Sequence, residues 1–299
     1  MICGVSIHAM AADGVMDVTS TEGSERRCAN VLGVAVDALD LEQALTMISD
    51  RLQNGPKGYV CAVSVHGVLE ALHNDAVRNA LGHAALAVPD GTPTVWVGRA
   101  QGYRGMDHVT GPTVMREVLR RAEFAGYSHF FYGGKPGVAE ELAAKLKQEL
   151  PGVRIAGTYT PPFRELRTDE EDEVVAMVNR LRPDIVWVGI STPRQDLWMR
   201  RILPRLNTRL MFGVGAAFDF LSGHIQDCPL WMKRSGLNWL HRLAQDPKRL
   251  WRRNLQSTEF LWRIALQLSG LSRYPLRQDG HEVASACGDG HSGEPDKRR

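Results

Sequence analysis

The stretch Ile185-Val186-Trp187-Val188-Gly189-Ile190-Ser191-Thr192-Pro193-Arg194-Gln195-Asp196 sets the pattern by which this chain folds. It opens with a continuous apolar run, as in a strand buried on both faces. Small polar residues follow, and then the polar start of a helix. The unit recurs. Apolar runs lie at 60–65, 84–88, 129–132, 153–158 and 210–214, and an earlier one at 31–36 opens the domain. Helix-period stretches at 68–81, 114–125, 138–150 and 170–181 fall between them. Strands alternating with helices of this length predict an α/β fold with a mostly parallel sheet covered on both faces. Ligands of such sheets sit at the carboxyl ends of the strands. That is where this chain places Ser64 and His66, Asp90 and Gly91, Gly133 and Gly134, Ser191 and Thr192, and Gly213 and Gly215.

Bulk properties narrow the class. The 299 residues are 43% hydrophobic and 23% charged, enough apolar material for a real core. Five cysteines, at 3, 28, 61, 228 and 287, have no metal-site spacing, and an odd number argues against a disulfide framework; a reducing cytoplasm is the expectation. No basic region precedes the first apolar stretch, which Asp13 and Gly14 interrupt, so no secretory signal is expected. No run of 18 apolar residues occurs, so any membrane contact is peripheral. We divide the chain into a disordered extension at 1–28, an α/β domain at 29–228, a basic appendage at 229–275 and a loose tail at 276–299.

The strand-end residues admit more than one reading. Asp90, between Pro89 and Gly91, would project into the crevice, where a carboxylate could take a proton from an attacking hydroxyl; it could equally stabilise its own turn. Tyr132-Gly133-Gly134-Lys135-Pro136-Gly137 joins a strand to a helix, with Pro136 suited to the first helical position. Its free N–H groups suit a phosphate, although a plain tight turn fits as well. Arg194 and Gln195 open a helix and could meet a nucleotide or only solvent. The elbow of serine hydrolases is excluded, because Pro193 replaces its second glycine. Asp219, between Phe218 and Phe220, needs a partner: it caps a turn or pairs with an arginine further on. No Asp-x-Asp pair occurs, and no assembled metal site is visible.

The appendage has the other distinctive composition. From 229 to 277 there are ten Lys or Arg against two acidic residues, and four of the seven tryptophans, at 231, 239, 251 and 262. The remainder of the chain is therefore net acidic, since the whole carries +2. On a helical wheel from 248 to 268, Leu250, Trp251, Leu255, Leu261, Trp262, Ala265, Leu266 and Leu268 share one side. Arg249, Arg252, Arg253 and Arg263 share the other, while Phe260 and Ile264 fall off the stripe. The apolar stripe packs on the domain or meets a bilayer; the arginines, with Arg242, face anionic lipid or a diphosphate. Nucleic acid is disfavoured by the near-neutral total charge and the lack of any binding motif. A nicotinamide enzyme is disfavoured because no G-x-G-x-x-G follows an early strand.

Six motifs in order carry a family resemblance: Pro-Asp-Gly at 89–91, Gly-Gly-Lys-Pro-Gly-Val at 133–138, Val-Gly-Ile-Ser-Thr-Pro-Arg-Gln-Asp at 188–196, Gly-Val-Gly-Ala-Ala-Phe-Asp-Phe at 213–220, Gly-Leu-Asn-Trp-Leu-His-Arg-Leu at 236–243 and Asp-Pro-Lys-Arg-Leu-Trp-Arg-Arg at 246–253. The chain resembles the WecG/TagA/CpsF glycosyltransferases, family 26 of the sugar transferases. The resemblance implies a single Rossmann-like domain with a C-terminal appendage that closes the site and touches the membrane. It implies an inverting, metal-independent enzyme without a cofactor. Such an enzyme moves a sugar from a nucleotide diphosphate, usually UDP, to a polyprenyl-diphosphate-linked saccharide at the cytoplasmic membrane face. Asp90 matches the proposed general base. Ser64, His66, His108, Tyr132, Gly133, Gly134, Gln195, Gly215 and Asp219 fall where substrates bind, and Arg242, Arg249, Arg252 and Arg253 where the acceptor diphosphate or bilayer lies. The chain departs from the family pattern at His66 (usually Asn), His108 (usually Arg), Thr113 (usually Asp) and Asn238 (usually Glu). Family members can self-associate, so a homo-oligomer is also an expectation. A catalytically degenerate peripheral membrane protein is the rival reading.

Overall fold

A computed structural model describes residues 26–225, 247–278 and 281–282, the helix up to 256 and the residues beyond 276 by backbone alone. Its centre is a six-stranded sheet built from β3 (Gly58–Val63), β4 (Leu86–Pro89), β5 (Ser128–Gly133), β6 (Arg154–Tyr159), β7 (Ile185–Gly189) and β8 (Leu210–Gly213). All six strands run parallel, in the order β4-β3-β8-β7-β5-β6. The fold is the expected Rossmann-like α/β domain. The connection from β5 runs outward to β6, and that from β7 runs inward to β8. The crossovers therefore part between the neighbouring strands β5 and β7, the kind of position where open parallel sheets bind ligands.

The run at 31–36 does not form one sheet strand. It is split into an antiparallel hairpin, β1 (Cys28–Val31) and β2 (Val34–Asp37), because Leu32-Gly33 makes a two-residue turn inside it. The hairpin is fastened to the edge of the sheet by Asp37, which accepts from the Ala87 amide at 2.6 Å and from Arg26 at 2.5 and 2.9 Å. Ordered structure thus reaches back to Arg26, ahead of the sequence-based boundary. The 68–81 helix is likewise two, α2 (Val65–His73) and α3 (Asp75–Gly82). Asn74 divides them by capping α3 through the amides of Ala76 and Val77, the competition with helical backbone that makes Asn a boundary residue.

Further helices are α1 (Leu41–Asn54), α4 (Thr92–Ala100), α5 (Gly111–Arg120), α6 (Val138–Glu149), α7 (Thr168–Leu181), α8 (Arg194–Ile202) and α9 (Ala217–Ser222). One apolar layer joins one sheet face to the hairpin, α2, α3, α7 and α8; the other joins the opposite face to α1, α5, α6 and α9.

A 22-residue helix, α10 (Pro247–Leu268), closes the described C-terminal part. Its inner face reverses the helical wheel. Phe260 and Ile264 are buried in the layer that includes α2, while Leu261, Trp262 and Leu268 are exposed. The physical reason is Gln267. It looks like a surface residue, yet its amide accepts from Leu32 N at 3.0 Å and donates to Asn30 O at 2.9 Å, so residues 260, 264 and 267 form the docking stripe onto the hairpin. Asn30 also donates to Tyr274 O at 2.8 Å, tying the chain beyond α10 to the same turn. In place of an entirely loose tail, β9 (Arg277–Gln278) and β10 (His281–Glu282) pair antiparallel. No helix is long and apolar enough to cross a membrane among the described residues.

Candidate active site

The carboxyl ends of five neighbouring strands bring the sequence motifs into one row. Strand pairing aligns Pro89 with Val63, Cys61 with Gly213, Gly213 with Val188 and Gly189 with Gly133. Asp90, Ser64, Gly215, Ser191 and Gly134 therefore stand at nearly one level above the sheet. Four strand steps separate Asp90 from Gly134, about 19 Å at usual strand spacing.

Asp90 ends the edge strand β4. Its amide donates to Val63 O at 3.0 Å, and Gly91 then turns at φ 129° to start α4. The carboxylate is half-buried, and no hydrogen bond or ion pair engages it among the described residues. His108 is brought to the same corner because the Val109 amide donates to Pro89 O at 3.0 Å. Thr110 caps α5 immediately after, and its hydroxyl also meets Thr113, the position of a family Asp, at 2.8 Å. Gly111 lets the start of α5 press on β8: a Cβ there would lie 2.9 Å from the Val214 Cα and carbonyl oxygen.

On the next strand Ser64 caps α2, its hydroxyl accepting from Gly67 N at 3.5 Å. His66, in the first turn of α2, has Nδ1 3.8 Å from Glu70. At the other end of the row, Gly133 (φ 123°) lies on the parting point between β5 and β7. A Cβ on it would be 2.6 Å from Gly189 O, so backbone meets backbone there, and the Gly134 amide donates to the same Gly189 carbonyl at 3.0 Å.

Several expectations need correction. Tyr132 does not line the crevice: it is buried, stacked on Trp198 at 4.0 Å and facing Tyr159 at 5.7 Å. Gln195 is buried too, and its amide braces the protein, accepting from Gly215 N at 3.1 Å and donating to the Thr192 hydroxyl at 3.4 Å. Pro136 is not the first helical residue: Gly137, at φ 87°, caps α6, and the helix begins at Val138. Asp219 does not cap α9 with its side chain. Ala216 stands at that cap, and the buried Oδ1 of Asp219 has no partner among the described residues. Arg263 is not simply solvated, since it donates to Glu259 at 2.8 Å. Arg242 and Asn238 lie outside the described residues, as do the side chains of Arg249, Arg252 and Arg253 on α10.

Sequence reasoning passed over Asp196. It is 1% exposed, and burial pushes its carboxyl up to about 6 against the lowering influence of the neighbouring Thr192 hydroxyl and Cys61 thiol. Its signal was available: Asp196 shares a helical face with Met199, which is fully buried. Surface cavities of about 180 Å³ beside Lys145 and about 310 Å³ beside Arg209 lie away from the strand carboxyl ends.

The fold is a Rossmann-like α/β domain that gathers its sequence motifs along one rim of a parallel sheet. Residues 29–274 match the Glycosyl transferase WecG/TagA/CpsF family, and the chain belongs to that family. Over 192 residues it is 28% identical to N-acetylglucosaminyldiphosphoundecaprenol N-acetyl-beta-D-mannosaminyltransferase of Bacillus spizizenii, covering 64% of this chain and 72% of the relative. Over 173 residues it is 30% identical to the protein of the same name from Bacillus subtilis, covering 58% of this chain and 65% of the relative, just under two thirds.

Proposed function

We propose that this glycosyltransferase moves a sugar from a UDP-sugar to a hydroxyl of a polyprenyl-diphosphate-linked saccharide, with inversion at the anomeric carbon. The observation that carries the reading is the position of Asp90: a half-buried carboxylate, unengaged among the described residues, at one end of a row whose other end is the glycine pair 133–134. The nucleotide diphosphate lies toward the loop that follows Gly133 and Gly134, whose residues 135–137 are exposed and lead into the start of α6. The sugar reaches toward Asp90 and His108. Asp90 takes the acceptor hydroxyl proton as the oxygen attacks the anomeric carbon from the face opposite the diphosphate. The bond to the diphosphate breaks, UDP leaves with the electron pair, and Asp90 ends protonated. By their names, the Bacillus relatives take an N-acetylglucosaminyl diphosphoundecaprenol acceptor and transfer N-acetylmannosamine, which are the first substrates to try.

The acceptor enters from the side of α10. That helix packs on α2, which Ser64 caps, one strand from Asp90. Exposed Leu261 and Trp262, with the arginines of the same helix, suit the inner surface of the cell membrane. The test is transfer from radiolabelled UDP-N-acetylmannosamine to a polyprenyl-diphosphate N-acetylglucosamine, with the product anomer assigned by NMR. An inverted product, formed at the same rate with and without EDTA, is expected. A retained configuration, or a rate abolished by chelation, contradicts the reading.

A further inference from the structure

Beneath the rim, four groups from the segments that follow β7 and β8 lie in series. The Gly215 amide donates to Gln195 Oε1 at 3.1 Å, and Gln195 Nε2 donates to Thr192 Oγ1 at 3.4 Å. Thr192 and the Cys61 thiol of β3 are the polar groups that act on the buried Asp196 carboxyl. Neither Asp196 oxygen finds a partner in full hydrogen-bonding geometry, although both are buried. A carboxylate in that condition weakens the folded state, and a functional duty is the ordinary reason for one to persist. Ser191, the residue before Thr192, is held at φ 68°, a left-handed conformation unusual for a side-chain-bearing residue and frequent where backbone is shaped for function.

We propose that Asp196 is a positioning residue of this site: its carboxylate fixes the Thr192 hydroxyl, and through Gln195 it holds the Gly215 loop at the rim of the sheet. The inference rests on the reading that transfer occurs along that rim. Ionised Asp196 can only accept, so Thr192 must donate to it and must accept from Gln195. The Gln195 amide is thereby oriented with its oxygen toward Gly215. Protonated Asp196 removes that constraint.

The groups around Asp196 do not compete for the charge. Burial pushes Cys61 up, so it remains a thiol, and pushes Tyr59 of β3 up, so it remains a phenol. Arg200, one turn along α8, is engaged with the Tyr59 phenol, and Arg26 acts on Cys61. A carboxyl whose value rises on folding stabilises the protein below the ordinary value of 3.8, and that contribution is lost as pH rises through about 6.

The test compares wild type with Asp196→Asn and Thr192→Val. Above pH 7, Asp196→Asn should melt at a higher temperature than wild type, and the advantage should vanish near pH 5. Hydrogen exchange of the Gly215 amide should nevertheless be faster in the Asn variant at neutral pH. Its kcat should fall about tenfold and lose the acid limb that wild type shows near pH 6. Thr192→Val should reproduce the faster exchange and the lower kcat while melting below wild type. An Asn variant that melts lower above pH 7, or that keeps wild-type exchange at Gly215, overturns the proposal. Melting and exchange do not depend on turnover, so failure of the transferase reading would show separately, as wild type without transfer.

Discussion

Asp90 and Asp196 are two aspartates at one end of one sheet with opposite surroundings. Asp90 is half-buried and unengaged among the described residues, a condition in which a base can meet a substrate proton. Asp196 is buried beneath the rim and acts only through Thr192. Between the strands, Gly133 has a purely steric task. Gly133→Ala should destabilise the protein by about 3 kcal/mol in denaturant unfolding, because its φ of 123° disfavours any side chain and the new Cβ would sit 2.6 Å from Gly189 O. A stability equal to wild type would show that β5 and β7 can spread apart there. Asp90, Gly133 and Gly134 were legible because strand-end position follows from the apolar runs alone. Tyr132 and Gln195 were not, because the next residue on a strand reverses direction and a polar amide gives no sign of whether it faces ligand or protein.

At the scale of elements, the sheet strands were readable to within a residue or two, since a parallel strand covered on both faces is a continuous apolar run. Elements were missed where a single residue broke a run: Gly33 made a hairpin from one expected strand, and Asn74 made two helices from one. The face of α10 was misplaced because counting apolar residues favoured the more numerous exposed ones over the Phe260, Ile264 and Gln267 stripe. These opposite faces separate experimentally. Phe260→Ala should lower stability on the order of 3 kcal/mol, as expected for emptying a buried aromatic site. Trp262→Ala, at a residue 66% exposed, should leave stability within about 0.5 kcal/mol and weaken co-sedimentation with anionic vesicles. Equal loss of stability in both variants would mean that Trp262 is covered in solution.

At the scale of the whole molecule, the N-terminal hairpin and α10 meet on one side of the sheet. The N-terminal hairpin receives α10 through Gln267 and the following segment through Tyr274, so the basic helix is fixed to the domain that holds Asp90. Ion pairing from α2 to α10, His73 with Glu259 at 3.3 Å, adds a contact along the same seam. Asymmetry of charge between appendage and domain was visible in composition; the seam was not, because its hydrogen bonds join residues more than 200 positions apart. In the proposed reaction, transfer depends on the edge carboxylate. The most direct measurement is the rate of radiolabelled sugar transfer to a polyprenyl-diphosphate acceptor by Asp90→Asn, made alongside UDP titration and thermal melting of the same preparation. The account predicts a fall of roughly a hundredfold or more in kcat with UDP affinity and melting temperature unchanged. Transfer at the wild-type rate by this variant would contradict it.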